Sequence, residues 1–309
     1  MPKPKHVAVL MGGWSSEREV SLNSGRACAR ALEEQGYRVT PIDVGPDVVR
    51  VLPGVGADVA FNALHGRFGE DGTFQGLLEL LRIPYTHSGV LASALAMQKD
   101  RAKVVMQAAG VAVPEGATVN RFEAAKRHVL PPPYVIKPVS EGSSCGVVIV
   151  REDRTHPPQE LLREDWAFGD QVLVETYVPG RELTCAVMGG RALGVIEIRP
   201  ATGVFYDYDA KYAKGGSVHI LPADLKPNIY HQVQELSLTA HQALGCRGVS
   251  RADLRYDDTP DGSGALVVLE VNTQPGMTET SLVPELAAHA GHAFGELVRW
   301  MVEDASLDR

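Results

Sequence analysis

The stretch VVLEVNTQPGMTETSLVP, residues 267–284, sets a carboxylate and an amide at alternate positions of an otherwise apolar run. Glu270 and Asn272 would be costly to bury there without partners. A neighbouring segment can supply them. SRADLRYDDTPDGSGALVVLEVN reads as two strands joined by a connection rich in Asp, Gly and Pro. Folded symmetrically about Asp261-Gly262, this hairpin sets Asp253 opposite Glu270 and Arg251 opposite Asn272. The other face then pairs Ala252 with Val271, Leu254 with Leu269 and Tyr256 with Val267, and is apolar throughout. A slip of one residue would mix the two faces, so the pattern favours this register.

Two carboxylates directly across a ladder repel each other, and one binds a proton unless a cation intervenes. Asp253, Glu270 and Asn272 offer the oxygen-only donor set that magnesium prefers, with no His or Cys for a softer metal. The plainer alternatives are a solvated hairpin face or an internal ion pair with Arg251. A second chemical signal is YVIKPVSEGSSCGVVIV, which sets Lys137 at a strand end before a Ser/Gly loop and a further strand. Such a loop lets backbone N–H groups approach phosphate oxygens, with Lys137 adding charge from beside it. It is neither a Walker A loop nor a dinucleotide fingerprint. Taken alone it reads better as an ordinary hairpin with a flexible turn.

The elements that must position these groups change character along the chain. HVAVLM (6–11) predicts a strand that breaks at Gly12-Gly13. A helix is expected from about Ser16 to the stop at Gly36, followed by the strands YRVTPIDV and ADVAFNAL. Strand and helix in alternation predict a parallel α/β unit. VLASALAMQKDRAKVVMQAAG predicts one helical stretch closing at Gly110, and the first boundary falls near residue 97. Beyond it, PYVIKP, GVVIV, QVLVETYV and ELTCAVMGGRALGVIEI read as short antiparallel strands. Residues 202–222 form a long polar and aromatic loop of the kind that serves as a lid. Helices are expected at about 227–244 and 285–303.

Composition limits the function classes. The 309 residues suit two or three domains, and 44% hydrophobic content supports packed cores. A formal charge of -8 argues against a general nucleic-acid binder, which needs a basic footprint. Cys28, Cys145, Cys185 and Cys246 are scattered without a CxxC pair, which fits a reducing cytoplasm better than a disulfide framework. The opening MPKPKHVAVLMGG reads as a first strand and not as a signal peptide, and no run approaches the roughly 20 apolar residues of a membrane helix. The expectation is a soluble cytoplasmic protein.

GGWSSEREVSLNSG, LHGRFGEDGTFQGLLELLRIPYTHSG, KPVSEGSSCGV, FYDYDAKY and EVNTQPGMTETSLVP, in that order over nearly the whole chain, together resemble the D-alanine–D-alanine ligases, enzymes of the ATP-grasp superfamily. The resemblance implies an N-terminal parallel α/β substrate domain (1–97). Two α+β domains clasping ATP follow, one central (98–184) and one C-terminal and catalytic (185–309). It implies ATP-dependent joining of two D-alanines through an acyl phosphate, for peptidoglycan precursor synthesis, by a homodimer. Two magnesium ions, replaceable by manganese, would sit on Asp253, Glu270 and Asn272. Lys99, Lys137 and Lys211 would serve the ATP phosphates. Glu175 with the backbone of Tyr177 and Val178 would meet adenine, and Glu182 the ribose. Some members carry Lys where this chain has Thr176.

For the amino acids, the resemblance implies that Glu17 takes the ammonium of the first D-alanine, with Ser143 and Tyr212 as its hydrogen-bonding partners and His65 lining the same pocket. Arg251 and the Gly276 N–H would stabilise the oxyanion. Ser281 and the Leu282 N–H would take the second carboxylate at a helix start. Lys211 and Tyr212 would ride on the lid. A relative joining D-alanine to D-lactate or D-serine is the alternative, and Tyr212 speaks against the lactate form, where the resemblance implies Phe. A non-catalytic nucleotide-binding regulator should have lost metal ligands or the lid pair, and this chain retains both.

Overall fold

The computed structural model describes residues 5–200, 216–278 and 280–308. Three sheets organise them. In the first, β1 (His6–Gly12) lies between β2 (Arg38–Val44) and β3 (Val59–Asn62), all parallel. Every residue of β1 is buried, as expected of a parallel strand covered on both faces. The crossover helix α1 (Arg18–Glu34) ends before Gly36, whose φ of +86° most residues avoid. Helices α2 (Val48–Val55), α3 (Thr73–Leu80) and α4 (Val90–Met97) complete this part. The single helix expected up to Gly110 is in fact two. The chain leaves helical geometry at Gln98 and restarts as α5 (Lys99–Ala108), so Lys99 opens a new helix.

The second sheet is antiparallel, in the order β4-β7-β5-β6. Its strands are β4 (Gly116–Asn120), β5 (Tyr134–Pro138), β6 (Val148–Val150) and β7 (Gln171–Thr176), with the short α6 (Arg121–Ala124) after β4. The third sheet runs β10-β9-β8-β11-β12 and is also antiparallel. It comprises β8 (Arg181–Met188), β9 (Arg191–Pro200), β10 (Ser217–Ile220), β11 (Val249–Tyr256) and β12 (Leu266–Asn272), with α7 (Pro227–Ala243) packed on it. The end of the expected 202–222 loop is therefore strand, while Lys211 and Tyr212 lie outside the described residues. The expected terminal helix is also two, α8 (Leu282–His289) and α9 (Phe294–Asp304). They part at Gly291, where φ is +91°.

The hairpin follows the expected register only halfway. Arg251 pairs with Asn272, Ala252 with Val271 and Asp253 with Glu270, but Leu254 then pairs with Val268, Arg255 with Val267 and Tyr256 with Leu266. The expected pairs Leu254–Leu269 and Tyr256–Val267 are displaced by a bulge next to Asp253. A bulge lets two successive side chains lean toward one side. Here Leu269 and Glu270 are both half-buried and both line a cavity, while Leu254 and Val268 stay fully buried.

The cores explain where that cavity opens. Val9 and Phe61 of the first sheet share one cluster with Ile196 of the third and with Val283 and Leu297 of α8 and α9. Tyr134, Ile136, Val172 and Val174 form a separate cluster within the second sheet. A cleft is left between the second sheet and the rest.

Candidate active site

Two adjoining cavities, of about 460 and 110 Å³, occupy this cleft. The larger is lined by Glu17, His65, Ser143, Arg251 and Asn272, and by Gly276, Ser281 and Leu282. The smaller is lined by Lys137, Glu175, Tyr177, Val178, Glu182 and Asp253. Lys99 and Glu270 line both. All the site residues expected from the sequence and lying among the described residues thus meet at one cleft. Glu141 also lines both cavities, and Glu70, Thr184, Lys103 and Arg255, none singled out from the sequence, complete the surroundings.

Lys99 reaches the junction because α5 starts there. Its backbone N–H donates to the Val139 carbonyl (3.0 Å), and its ammonium donates to the Glu141 carbonyl and pairs with Glu270 at 3.1 Å. The helix is thereby pinned to the loop after β5. Lys103, one turn on, points the same way and is buried.

On the second sheet, Lys137 sits opposite Leu173 and Glu175 opposite Val135, so the two are diagonal neighbours on adjacent strands. Glu175, 1% exposed, holds Lys137 through one oxygen (2.5 Å) and Lys103 through the other. Burial alone would raise its pKa, but Lys137 and Lys103 outweigh that and hold the carboxyl below the usual range. Burial, reinforced by Lys137, brings Lys103 down to about 8. The result is a buried carboxylate between two ammonium groups. Tyr177 spends its N–H on the Pro133 carbonyl (3.3 Å), so a base edge would have to use other backbone groups of this hinge.

The ion pair weighed above as an alternative is present. Arg251 donates two hydrogen bonds to Asp253, at 2.8 and 2.7 Å, and Thr184 donates a third at 2.7 Å. Asn272 Oδ1 accepts the Gln274 N–H at 3.0 Å. The donor set still fits a hard cation. Two carboxylates and an amide oxygen stand on neighbouring strands without nitrogen or sulfur, the carboxylates lie across one rung, and Glu270 is only partly exposed to the cavity. Groups of the chain itself now engage those oxygens: Arg251 and Thr184 hold Asp253, Lys99 pairs with Glu270, and the Gln274 N–H serves Asn272.

Glu17 stands at the N-cap of α1, makes no capping hydrogen bond with its side chain, and accepts a hydrogen bond from the Ser143 hydroxyl. Gly66 leaves it room. There φ is +68°, and a Cβ would come within 3.0 Å of the Glu17 carboxylate. Ser143 and Ser144 also have positive φ, 52° and 58°, which non-glycine residues adopt at a cost and which recurs at functional loops. His65 is buried and its Nε2 lies 3.3 Å from the Ser24 hydroxyl. Burial lowers its pKa despite the nearby Glu17, which favours the neutral ring. Burial, assisted by Glu17, pushes the Glu70 carboxyl up to about 8. Ser281 is the N-cap of α8, and its hydroxyl accepts the Thr278 N–H at 3.0 Å.

This arrangement can bind a polyanion through Lys99 and Lys137 beside a carboxylate set. It can also bind a zwitterion between Glu17 and Arg251. Known proteins resemble the chain in sequence and fold. The family described as D-ala D-ala ligase C-terminus matches residues 105–303, and its N-terminal counterpart matches 53–88. D-alanine–D-alanine ligases of Methylobacterium radiotolerans and Methylocella silvestris are 76% and 72% identical, each over 99% of both chains. A crystal structure of D-alanine–D-alanine ligase from Bacillus anthracis complexed with ATP superposes with a TM-score of 0.81, at 32% identity over 97% of each chain. The architecture is accordingly that of an ATP-grasp protein. With its sequence matched over nearly the whole chain and its fold alike, the chain belongs to the D-alanine–D-alanine ligase family.

Proposed function

We propose that the protein joins two D-alanines to D-alanyl-D-alanine, converting ATP to ADP and phosphate. The observation that carries this is that Lys99 and Glu270 line both cavities. A phosphoryl group passing from a nucleotide in the smaller cavity to a carboxylate in the larger must cross there. Catalysis of such a transfer rests on positioning and charge neutralisation.

In this reading Glu175 and the hinge 177–178 face adenine, Glu182 faces the ribose, and Lys99 and Lys137 face the phosphates. Lys137 must exchange part of its hold on Glu175 for phosphate, and Lys103 keeps that carboxylate ionised meanwhile. Asp253, Glu270 and Asn272 would hold two magnesium ions, or manganese. Such ions neutralise charge on the β- and γ-phosphates when bound.

Glu17, with Ser143, takes the ammonium of the first D-alanine and leaves its carboxylate facing the γ-phosphorus. Attack gives D-alanyl phosphate and ADP. Ser281 and the Leu282 N–H, at the start of α8, take the carboxylate of the second D-alanine. Its ammonium gives up a proton, the free amine adds to the acyl carbon, and phosphate leaves. Arg251 and the Gly276 N–H face the oxyanion formed in between. Lys211 and Tyr212 belong to a lid that keeps water from the acyl phosphate. The proposal extends to three domains, 1–97, 98–184 and 185–309. It extends also to a homodimer working in the cytoplasm on peptidoglycan precursors. Among the described residues no helix is long and apolar enough to cross a membrane.

A phosphate-release assay with ATP, magnesium and either D- or L-alanine tests the reaction and its stereochemistry together. Release and dipeptide are expected with D-alanine and neither with L-alanine; equal rates would refute the assignment. More D-alanyl-D-lactate than dipeptide, with both acceptors supplied at neutral pH, would transfer the chain to the ester-forming relatives. Within this scheme Arg251→Ala should lower kcat by roughly 10²–10³, the loss measured when one transition-state donor is removed. A rise in the D-alanine KM alone, with kcat intact, would contradict that role.

A further inference from the structure

Charged residues occupy three alternate positions of β11: Arg251, Asp253 and Arg255. The first two belong to the scheme above. Arg255 also lines the smaller cavity, and its guanidinium spends its donors in an unusual way. Nε donates to the Val178 carbonyl at 3.1 Å and Nη2 to the Gly180 carbonyl at 3.0 Å. Nη1 lies 3.5 Å from the Glu182 carboxylate, on the strand residue directly across from it. The guanidinium carbon stands 5.8 Å from the Tyr177 ring centroid.

One side chain therefore touches Tyr177, Val178, Gly180 and Glu182. The turn it holds is pressed onto β11 itself. Gly180, with φ of +87°, leaves room for the Tyr256 carbonyl, which a Cβ would meet at 2.2 Å. We propose that Arg255 is a positioning residue of the nucleotide site, fixing the 177–180 turn and aiming Glu182 at the ribose. This rests on the assignment of the smaller cavity to ATP.

The physical reason is preorganisation. A turn of four residues would otherwise lose conformational freedom when a nucleotide docks, and that loss would weaken binding. Arg255 settles the turn beforehand, through a planar fork that Lys cannot reproduce. It also gives Glu182 a fixed cationic neighbour, so the carboxylate presents acceptor oxygens in a set direction. The contribution should be the same in the ground state and the transition state, so it should be read in KM and not in kcat.

The test compares wild type, Arg255→Met, Arg255→Lys and Glu182→Gln, with ATP and with 2′,3′-dideoxy-ATP, in the phosphate-release assay. Arg255→Met should raise the ATP KM roughly tenfold, the weight of one charge-assisted hydrogen bond. The D-alanine KM should stay put and kcat should change far less. The preference for ATP over the dideoxy analogue should fall to that of Glu182→Gln, and Arg255→Lys should recover only part of it. If Arg255→Met melts below the assay temperature, Arg255→Lys carries the same comparison. Loss of the preference in Glu182→Gln but not in the Arg255 variants would overturn the proposal and leave the ribose assignment standing. An unchanged preference in all variants would remove both. A wild type that releases no phosphate would remove the ligase reading itself.

Discussion

Glu270→Gln is expected to leave the protein folded and to cut phosphate release by about 10³-fold or more. Glu270 lines both cavities and lies directly across a rung from Asp253, with its side chain 28% exposed. Glutamine keeps the volume and the polar end, so packing around the bulge survives. Lys99 loses an ion pair but keeps the Glu141 carbonyl. What disappears is negative charge at the point where a triphosphate, itself strongly anionic, must be accommodated with a divalent ion.

Two readouts separate this from a general defect. Circular dichroism and thermal unfolding should match the wild type. Calorimetry should show ATP binding that no longer tightens when magnesium is added, with the magnesium-free affinity equal or higher because a repulsive carboxylate is gone. Wild-type turnover in Glu270→Gln would mean that the carboxylate does no more than pair with Lys99.

Much of this site is legible in the sequence, because its signals are local. Glu270 and Asn272 alternate in an apolar strand, and the turn chemistry at Asp261-Gly262 brings Asp253 and Arg251 across from them. The reading failed one residue further on. A bulge has no composition of its own, and Leu269 looks like any other core leucine, so symmetric pairing was carried through it. Arg255 was lost for a related reason. It follows Arg251 and Asp253 at alternate positions, but its partners, Val178, Gly180 and Glu182, come from a distant strand and turn.

Helix breaks show the same contrast. Gly291 marks the division between α8 and α9 with a residue suited to φ of +91°. The break at Gln98 has no Gly or Pro, and arises where Lys99 bonds the backbone after β5. Lys103 was missed because a lysine in a helix is ordinarily a surface charge. Its spacing of four from Lys99 put it on the inward face, and only Glu175, far off in sequence, makes that burial tolerable.

That buried trio yields the second large effect. Glu175→Gln should destabilise the protein by about 3–5 kcal/mol near neutral pH, the usual result of removing one partner from a buried charge set. Lys103 and Lys137 would then face each other with their shared counter-charge gone and only the weaker influence of Glu270 on Lys103 left. The sign of the pH dependence follows from the lysine. In the wild type Lys103 is held down at about 8, mainly by burial, against 10.5 for an ordinary lysine. The unfolded chain therefore binds more protons than the folded one between those values, and stability from this group rises with pH across that window. Without Glu175 the attraction opposing the shift is gone and the folded value drops further, so the rise begins at lower pH. The gap between wild type and variant should then be widest at pH 6 and narrow toward pH 9, as Lys103 sheds its proton in both. Glu175 itself, whose pKa is lowered, contributes stability that is present above pH 4.5 and lost only as the pH falls through its folded value. Its own protonation thus cannot produce the narrowing. Denaturant unfolding at pH 6, 7.5 and 9 measures the gap directly. A constant cost across the three would mean that Lys103 keeps its proton throughout, and would overturn the titration argument.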